Sequence, residues 1–92
     1  MTNPSVPTLS VVEVDALGLL CPLPILRAQA ALARMATAEE LLLWADDESV
    51  LQDLPAWCAG HGHQLLELVT CAHPSGRHAF RGRVRITRSA QG

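Results

Sequence analysis

The stretch Cys21-Pro22-Leu23-Pro24 sets one thiol and two prolines directly ahead of an amphipathic run, Ile25 to Met35. A thiol at the mouth of a helix meets unpaired N–H groups and the positive end of the helix dipole. Both favour the thiolate, the nucleophilic form of cysteine. The prolines suit a helix start, where a missing N–H costs no intrahelical bond. Pro24 also pushes Leu23 away from helical angles. The helix therefore begins at Pro22 or at Pro24, and Cys21 stays at its mouth in both cases. Gly18 permits the tight turn that aims the thiol outward.

A dithiol redox site would place a second cysteine three residues on. That position is Pro24, so no neighbouring thiol can resolve a mixed disulfide. A lone activated sulfur is better suited to picking up a group and passing it on. The opposing reading is a buried cysteine that merely starts a helix. Cys58, beside Trp57, and Cys71, in an apolar run, read as packing residues, since free cysteine behaves as a small hydrophobe. Cys58, His61, His63, Cys71 and His73 contain zinc-ligand types, but their spacings are short and no paired Cys-x2-Cys knuckle exists.

The elements that position Cys21 follow from periodicity. Met1 to Thr8, with two prolines, reads as a tail, and Leu9 to Val14 as a first strand. Ile25, Ala28, Leu32 and Met35 recur at helical spacing and face a sheet, while Arg27 and Arg34 face water. Leu41 to Ala45 is a continuous apolar run, the pattern of a buried central strand. Ser49 and Gln52 have capping-box spacing, but Pro55 argues for a second helix starting near Asp53 and ending around Gly60 to Gly62. Gln64 to Cys71 is a third strand, His73-Pro74-Ser75-Gly76 a turn, and His78 to Thr87 a fourth strand. The order β-α-β-α-β-β predicts an α+β two-layer sandwich, a mixed four-stranded sheet with both helices on one face. A single domain over residues 9–88 is expected, with tails at 1–8 and 89–92.

Composition narrows the function classes. The 92 residues are 49% hydrophobic and 17% charged, with a net charge of −2. That is a globular composition with no strong electrostatic partner signal. There is no lysine, which excludes lysine Schiff-base chemistry. No apolar run approaches the ~20 residues that span a bilayer. Three cysteines cannot all pair internally, and the polar Met1-Thr2-Asn3-Pro4 start lacks a signal peptide, so a cytoplasmic protein with reduced thiols is expected. Arg81, Arg83 and Arg85 alternate with Gly82, Val84 and Ile86, which puts them on one strand face. That face reads either as a solvated surface or protected sheet edge, or as a dock for an acidic partner. No aromatic residues interleave with the arginines, so direct nucleic-acid binding is not expected.

The run Asp15-Ala16-Leu17-Gly18-Leu19-Leu20-Cys21-Pro22-Leu23-Pro24 resembles the signature of the TusA/SirA-like sulfur-carrier family. Ala45-Asp46-Asp47, Asp53-Leu54-Pro55-Ala56-Trp57-Cys58 and Gly62-His63-Gln64-Leu65 are similar to further elements of that family, in the same order. The resemblance spans residues 11–68 and implies the same sandwich, like the C-terminal domain of translation initiation factor 3. It implies a sulfurtransferase that carries a persulfide on Cys21, with Gly18, Pro22, Leu23 and Pro24 shaping the motif. The N–H groups of Cys21 and Leu23 would then stabilise the anion. Leu19, Leu20, Leu23 and Ile25 would form an apolar rim for a transient interface. Asp46 and Asp47 would shape the rim near Cys21, and Leu20, Asp46, Asp47, Arg81, Arg83 and Arg85 are candidate docking residues. The partners implied are a sulfur donor, a cysteine desulfurase or rhodanese, and an acceptor protein. A monomer is expected, with no cofactor and no metal. Two departures bear on the acceptor. Gln52 stands where the family often has an arginine able to pair with Asp46 or Asp47. Leu20 and Leu23 stand where members that thiolate tRNA commonly carry charge.

Overall fold

The apolar run Leu41 to Ala45 has the pattern of a central strand, paired along both of its edges. In the structure, a computed structural model describing residues 10–34 and 38–87, this run belongs to β2 (Glu40–Ala45). β2 lies between β1 (Val11–Ala16), parallel to it, and β4 (His78–Arg85), antiparallel to it. β3 (Gln64–Ala72) pairs antiparallel with β4 on the far side, which gives the order β1-β2-β4-β3. Helices α1 (Leu23–Arg34) and α2 (Val50–His61) supply the two crossovers that parallel strands require. The first packs over β1 and β2, the second over β3 and β4. The expected two-layer sandwich is therefore the observed fold.

The core lies between the sheet and the helices. Val12, Val14 and Ala16 of β1, Leu41, Leu43 and Ala45 of β2, and Phe80 and Val84 of β4 meet Ile25, Ala28 and Ala31 of α1 and Val50, Leu54 and Cys58 of α2. Leu41, Leu43, Leu54 and Val84 are fully buried, each contributing about 1.5–3 kcal/mol of transfer free energy.

β2 and β3 each run one residue beyond the sequence reading, to Glu40 and Ala72, and β4 ends at Arg85 rather than Thr87; the differences at β1, α1 and α2 bear on the site. β1 runs to Ala16 because its period-two pattern continues: Ala16 is buried opposite Ala45 while Glu13 and Asp15 point out. α1 begins at Leu23, with Ile25 and Leu26 both donating to the Pro22 carbonyl at 3.1 Å. α2 begins at Val50 rather than near Asp53, and Pro55 lies inside it. A proline there forfeits one bond, to the carbonyl of exposed Leu51. Burial of Val50 and Leu54 on one helical face, and a turn seeded by Asp47, outweigh that loss. The capping box does not form, since the Ser49 hydroxyl donates to Asp47 instead. The expected tails, Leu9, Met35 and Arg88 lie outside the described residues.

One glycine is fixed by packing. A Cβ on Gly82, in the middle of β4, would sit 2.3 Å from Cδ2 of Leu54. Leu54 is wholly buried in the core. Gly82→Ala is therefore expected to destabilise the fold by about 1–3 kcal/mol through overpacking, despite the usual advantage of alanine over glycine in a strand. Thermal denaturation checks this: the midpoint falls, and an unchanged or higher midpoint contradicts the packing argument.

Candidate functional site

Parallel β1 and β2 end side by side at Ala16 and Ala45, and the loops that leave them meet. The first loop runs through Gly18 to Cys21 and the second carries Asp46 and Asp47. Gly18 adopts φ +82°, a left-handed conformation that favours glycine, and its N–H donates to both carboxylate oxygens of Asp46 at 3.0 and 3.1 Å. Asp46 is held in turn by the Arg77 guanidinium. Asp47 accepts the Cys21 N–H through Oδ2 at 2.8 Å and takes the Ser49 N–H and hydroxyl at 3.2 and 2.9 Å. Those three donors hold its carboxyl below the usual aspartate range. Asp46 and Asp47 thus clasp the Cys21 loop rather than simply lining its rim. Arg77, from the β3–β4 turn, does for Asp46 what Gln52 cannot.

Cys21 is exposed, Cys58 is buried in the core and Cys71 is partly covered. Leu20 is 70% exposed beside the thiol, and Leu23 and Leu26, one turn apart on α1, are each about half exposed. The apolar rim is therefore Leu20, Leu23 and Leu26. Ile25 is buried in the core and Leu19 packs against it, because those two continue the core-facing side of the chain.

The helix mouth differs from expectation in its donors. The N–H of Cys21 goes to Asp47, that of Leu23 to the Leu20 carbonyl at 2.8 Å, and those of Ile25 and Leu26 to Pro22. Pro22 and Pro24 have none, so neither Cys21 nor Leu23 has an N–H left for an anion on the sulfur. The thiol is instead pushed above its ordinary pKa, first by its hydrogen bond to the Asp53 carboxylate, then by partial desolvation and by the charges of Asp53 and Asp47. Only the Ser49 hydroxyl acts the other way. It has one proton to give, and that proton is on Asp47. The shift of the Cys21 thiol therefore runs opposite to the one expected from the helix mouth. In the sequence Asp53 carries only a helix-start signal; it lies in the first turn of an earlier-starting α2 and acts on Cys21 from there.

The other candidates lie elsewhere. β4 is an interior strand, so Arg81, Arg83 and Arg85 are on the sheet face opposite the helices and not on an edge. Arg81 pairs with Glu67 at 3.1 Å, and Arg83 and Arg85 converge on buried Glu40 at 3.2 and 3.8 Å. Their charge is largely answered within the protein. Among the described residues no three His, Cys, Asp or Glu side chains converge as a metal site. His61 and His63 stack beside Trp57 and line a groove of about 250 Å³ with Gln29, Leu32 and Ala33, whereas His73 sits against Trp44. No helix among the described residues is long and apolar enough to cross a membrane.

Of the three free cysteines, Cys21 is the exposed one, and it stands directly ahead of a helix on this sandwich. Residues 12–81 match the family model described as sulfurtransferase TusA, and the chain belongs to that family of sulfur carriers. The fold is also similar to that of a SirA-like protein from Desulfitobacterium hafniense, with a TM-score of 0.60 at 24% identity, covering 84% of this chain and 99% of that one.

The Asp53 contact predicts a measurable effect. In Asp53→Asn the Cys21 pKa is expected to fall toward the ordinary thiol value, because the amide removes a carboxylate acceptor and its charge. The pH dependence of iodoacetamide alkylation at Cys21 reads this, and an unchanged or higher midpoint contradicts it.

Proposed function

We propose that this protein is a sulfur-relay carrier in which Cys21 accepts a sulfane sulfur as a persulfide and passes it to an acceptor protein. The observation that carries the reading is an accessible Cys21 in a clasped loop, in a chain of the TusA family whose other two cysteines are buried or partly covered. The Cys21 thiolate attacks the outer sulfur of a donor persulfide, as in thiol–disulfide exchange. A bond forms between Cys21 and the sulfane sulfur, the donor's S–S bond breaks, and the donor cysteine leaves as a thiolate that takes up the proton Cys21 released. One sulfane sulfur moves, and no external oxidant or reductant is consumed. The reverse polarity then delivers it: an acceptor thiolate attacks the outer sulfur and Cys21 is the leaving group. The donor is a cysteine desulfurase or a rhodanese. The acceptor belongs to tRNA thiolation, molybdenum-cofactor sulfuration or sulfur oxidation. A thiol that must stay free fits a reducing compartment such as the cytoplasm.

A second reading is a non-catalytic interaction module on the same fold. The raised Cys21 pKa favours it, because a protonated thiol is a poor nucleophile. Intact-mass spectrometry after incubation with a cysteine desulfurase and cysteine separates the two. A carrier gains one sulfur atom, removable by reductant, in wild type and Cys58→Ala but not in Cys21→Ala. No gain from the desulfurase, and none from a rhodanese with thiosulfate, leaves the interaction module.

A further inference from the structure

We propose that Arg77, in the turn between β3 and β4, is a positioning residue for sulfur transfer: it holds Asp46 on the Gly18 N–H and so sets the loop that presents Cys21. This role rests on the carrier reading of Cys21 and adds to it a residue from the far side of the sheet.

Asp46 has two partners among the described residues. Both of its oxygens accept the Gly18 N–H, and Oδ2 also takes the Arg77 guanidinium. Without the arginine, one backbone N–H is left to orient this carboxylate. Gly18 is where the loop turns: its φ is +82°, and the next N–H, that of Leu19, closes on the Ala16 carbonyl at 3.2 Å. Only Leu19 and Leu20 stand between Gly18 and Cys21, so displacement of the first is passed to the second.

The arginine is itself braced. The His73 N–H donates to the Arg77 carbonyl at 2.8 Å, and the Gly76 N–H to the His73 carbonyl at 2.7 Å. The His73 ring accepts the Ser75 N–H through Nδ1 at 3.0 Å and meets Trp44 edge-on, with centroids 4.8 Å apart. Trp44 is buried, and its indole N–H donates to Glu13 at 2.8 Å. Trp44 seats the turn and Asp46 receives its arginine, and the two are separated only by Ala45 at the end of β2. The turn is thus built from the strand whose loop it steadies.

Two properties separate positioning from its rivals. The Arg77 side chain is 54% exposed, and an exposed ion pair adds little to the stability of a whole fold. Its effect is the order of one loop. Charge gives the second distinction. Loss of Arg77 removes a positive charge and loss of Asp46 a negative one, so an electrostatic role makes the two changes act on Cys21 in opposite senses. A positioning role makes both slow the transfer.

The test compares full-length wild type with Arg77→Gln, Arg77→Lys, Asp46→Ala and the double variant Arg77→Gln with Asp46→Ala. Solvent exchange of the Gly18 amide is read by NMR, and sulfur uptake at Cys21 from a cysteine desulfurase by the rate of mass gain. In Arg77→Gln the Gly18 amide is expected to exchange about two- to fivefold faster, with the thermal midpoint little changed. Arg77→Lys recovers protection, because the ammonium keeps the charge pair. The double variant exchanges no faster than Asp46→Ala, since groups acting through one another are not additive. Uptake slows in both single variants. Wild-type exchange in Arg77→Gln, additive effects in the double variant, or opposite effects of the single variants on uptake overturn the inference. Faster exchange with uptake unchanged overturns it too and leaves the carrier role standing. No uptake by wild type removes the carrier role, and the exchange measurements alone then decide whether Arg77 holds the loop.

Discussion

The bond from the Cys21 N–H to the Asp47 carboxylate joins the two halves of this fold at the point where function is expected. β1 and β2 are parallel, so their loops leave from the same end of the sheet and must be tied there or drift apart. Asp47 ties them, 26 residues from Cys21 in sequence and 2.8 Å from it in space. The same carboxylate turns the chain into α2 through Ser49, so the helix that carries Asp53 starts where it does because Asp47 is engaged. Asp46 repeats the arrangement one residue earlier, on Gly18 and Arg77. The thiol is positioned by its own backbone, held from outside by acids.

That solution has an electrostatic consequence. Carboxylates are good acceptors for backbone N–H groups and poor neighbours for a sulfur anion. The groups that fix Cys21 in place therefore work against its ionisation, and a dipole contribution of about 0.3–1 kcal/mol from α1 meets two negative charges. Positioning and activation pull in opposite directions here: the acids that do the first oppose the second.

Much of this was legible in the sequence, in proportion to how local its cause is. The amphipathic run after Pro24, the apolar β2 and the alternating arginines follow from side-chain periodicity, and each forms the element expected. The α2 start was not legible, because the proline signal at Pro55 is local while the burial of Val50 and Leu54 is tertiary. The arginine face reads as free charge along β4, but its partners Glu40 and Glu67 lie on the neighbouring strands. The site itself was half legible. Cys21 announced itself by its prolines, and Asp46 and Asp47 by resemblance to a family element. The fate of the Cys21 N–H depends on which atoms meet across a gap of 26 residues, and helix-terminus rules assume that group is unclaimed. Arg77 replaces the missing arginine at position 52 from a turn that no local pattern connects to Asp46.

The clasp can be observed directly by following the Cys21 amide resonance as pH is lowered. Asp47 is depressed below 3.8 by the donors it holds in the folded state. Its stabilising contribution is therefore complete above that unfolded value and is lost as pH falls through the lower folded one. The account predicts that the Cys21 amide shifts with a midpoint below 3.8, and that this transition disappears in Asp47→Asn. A midpoint at or above 3.8, or a Cys21 amide that ignores Asp47, would contradict the claim that this carboxylate positions the sulfur.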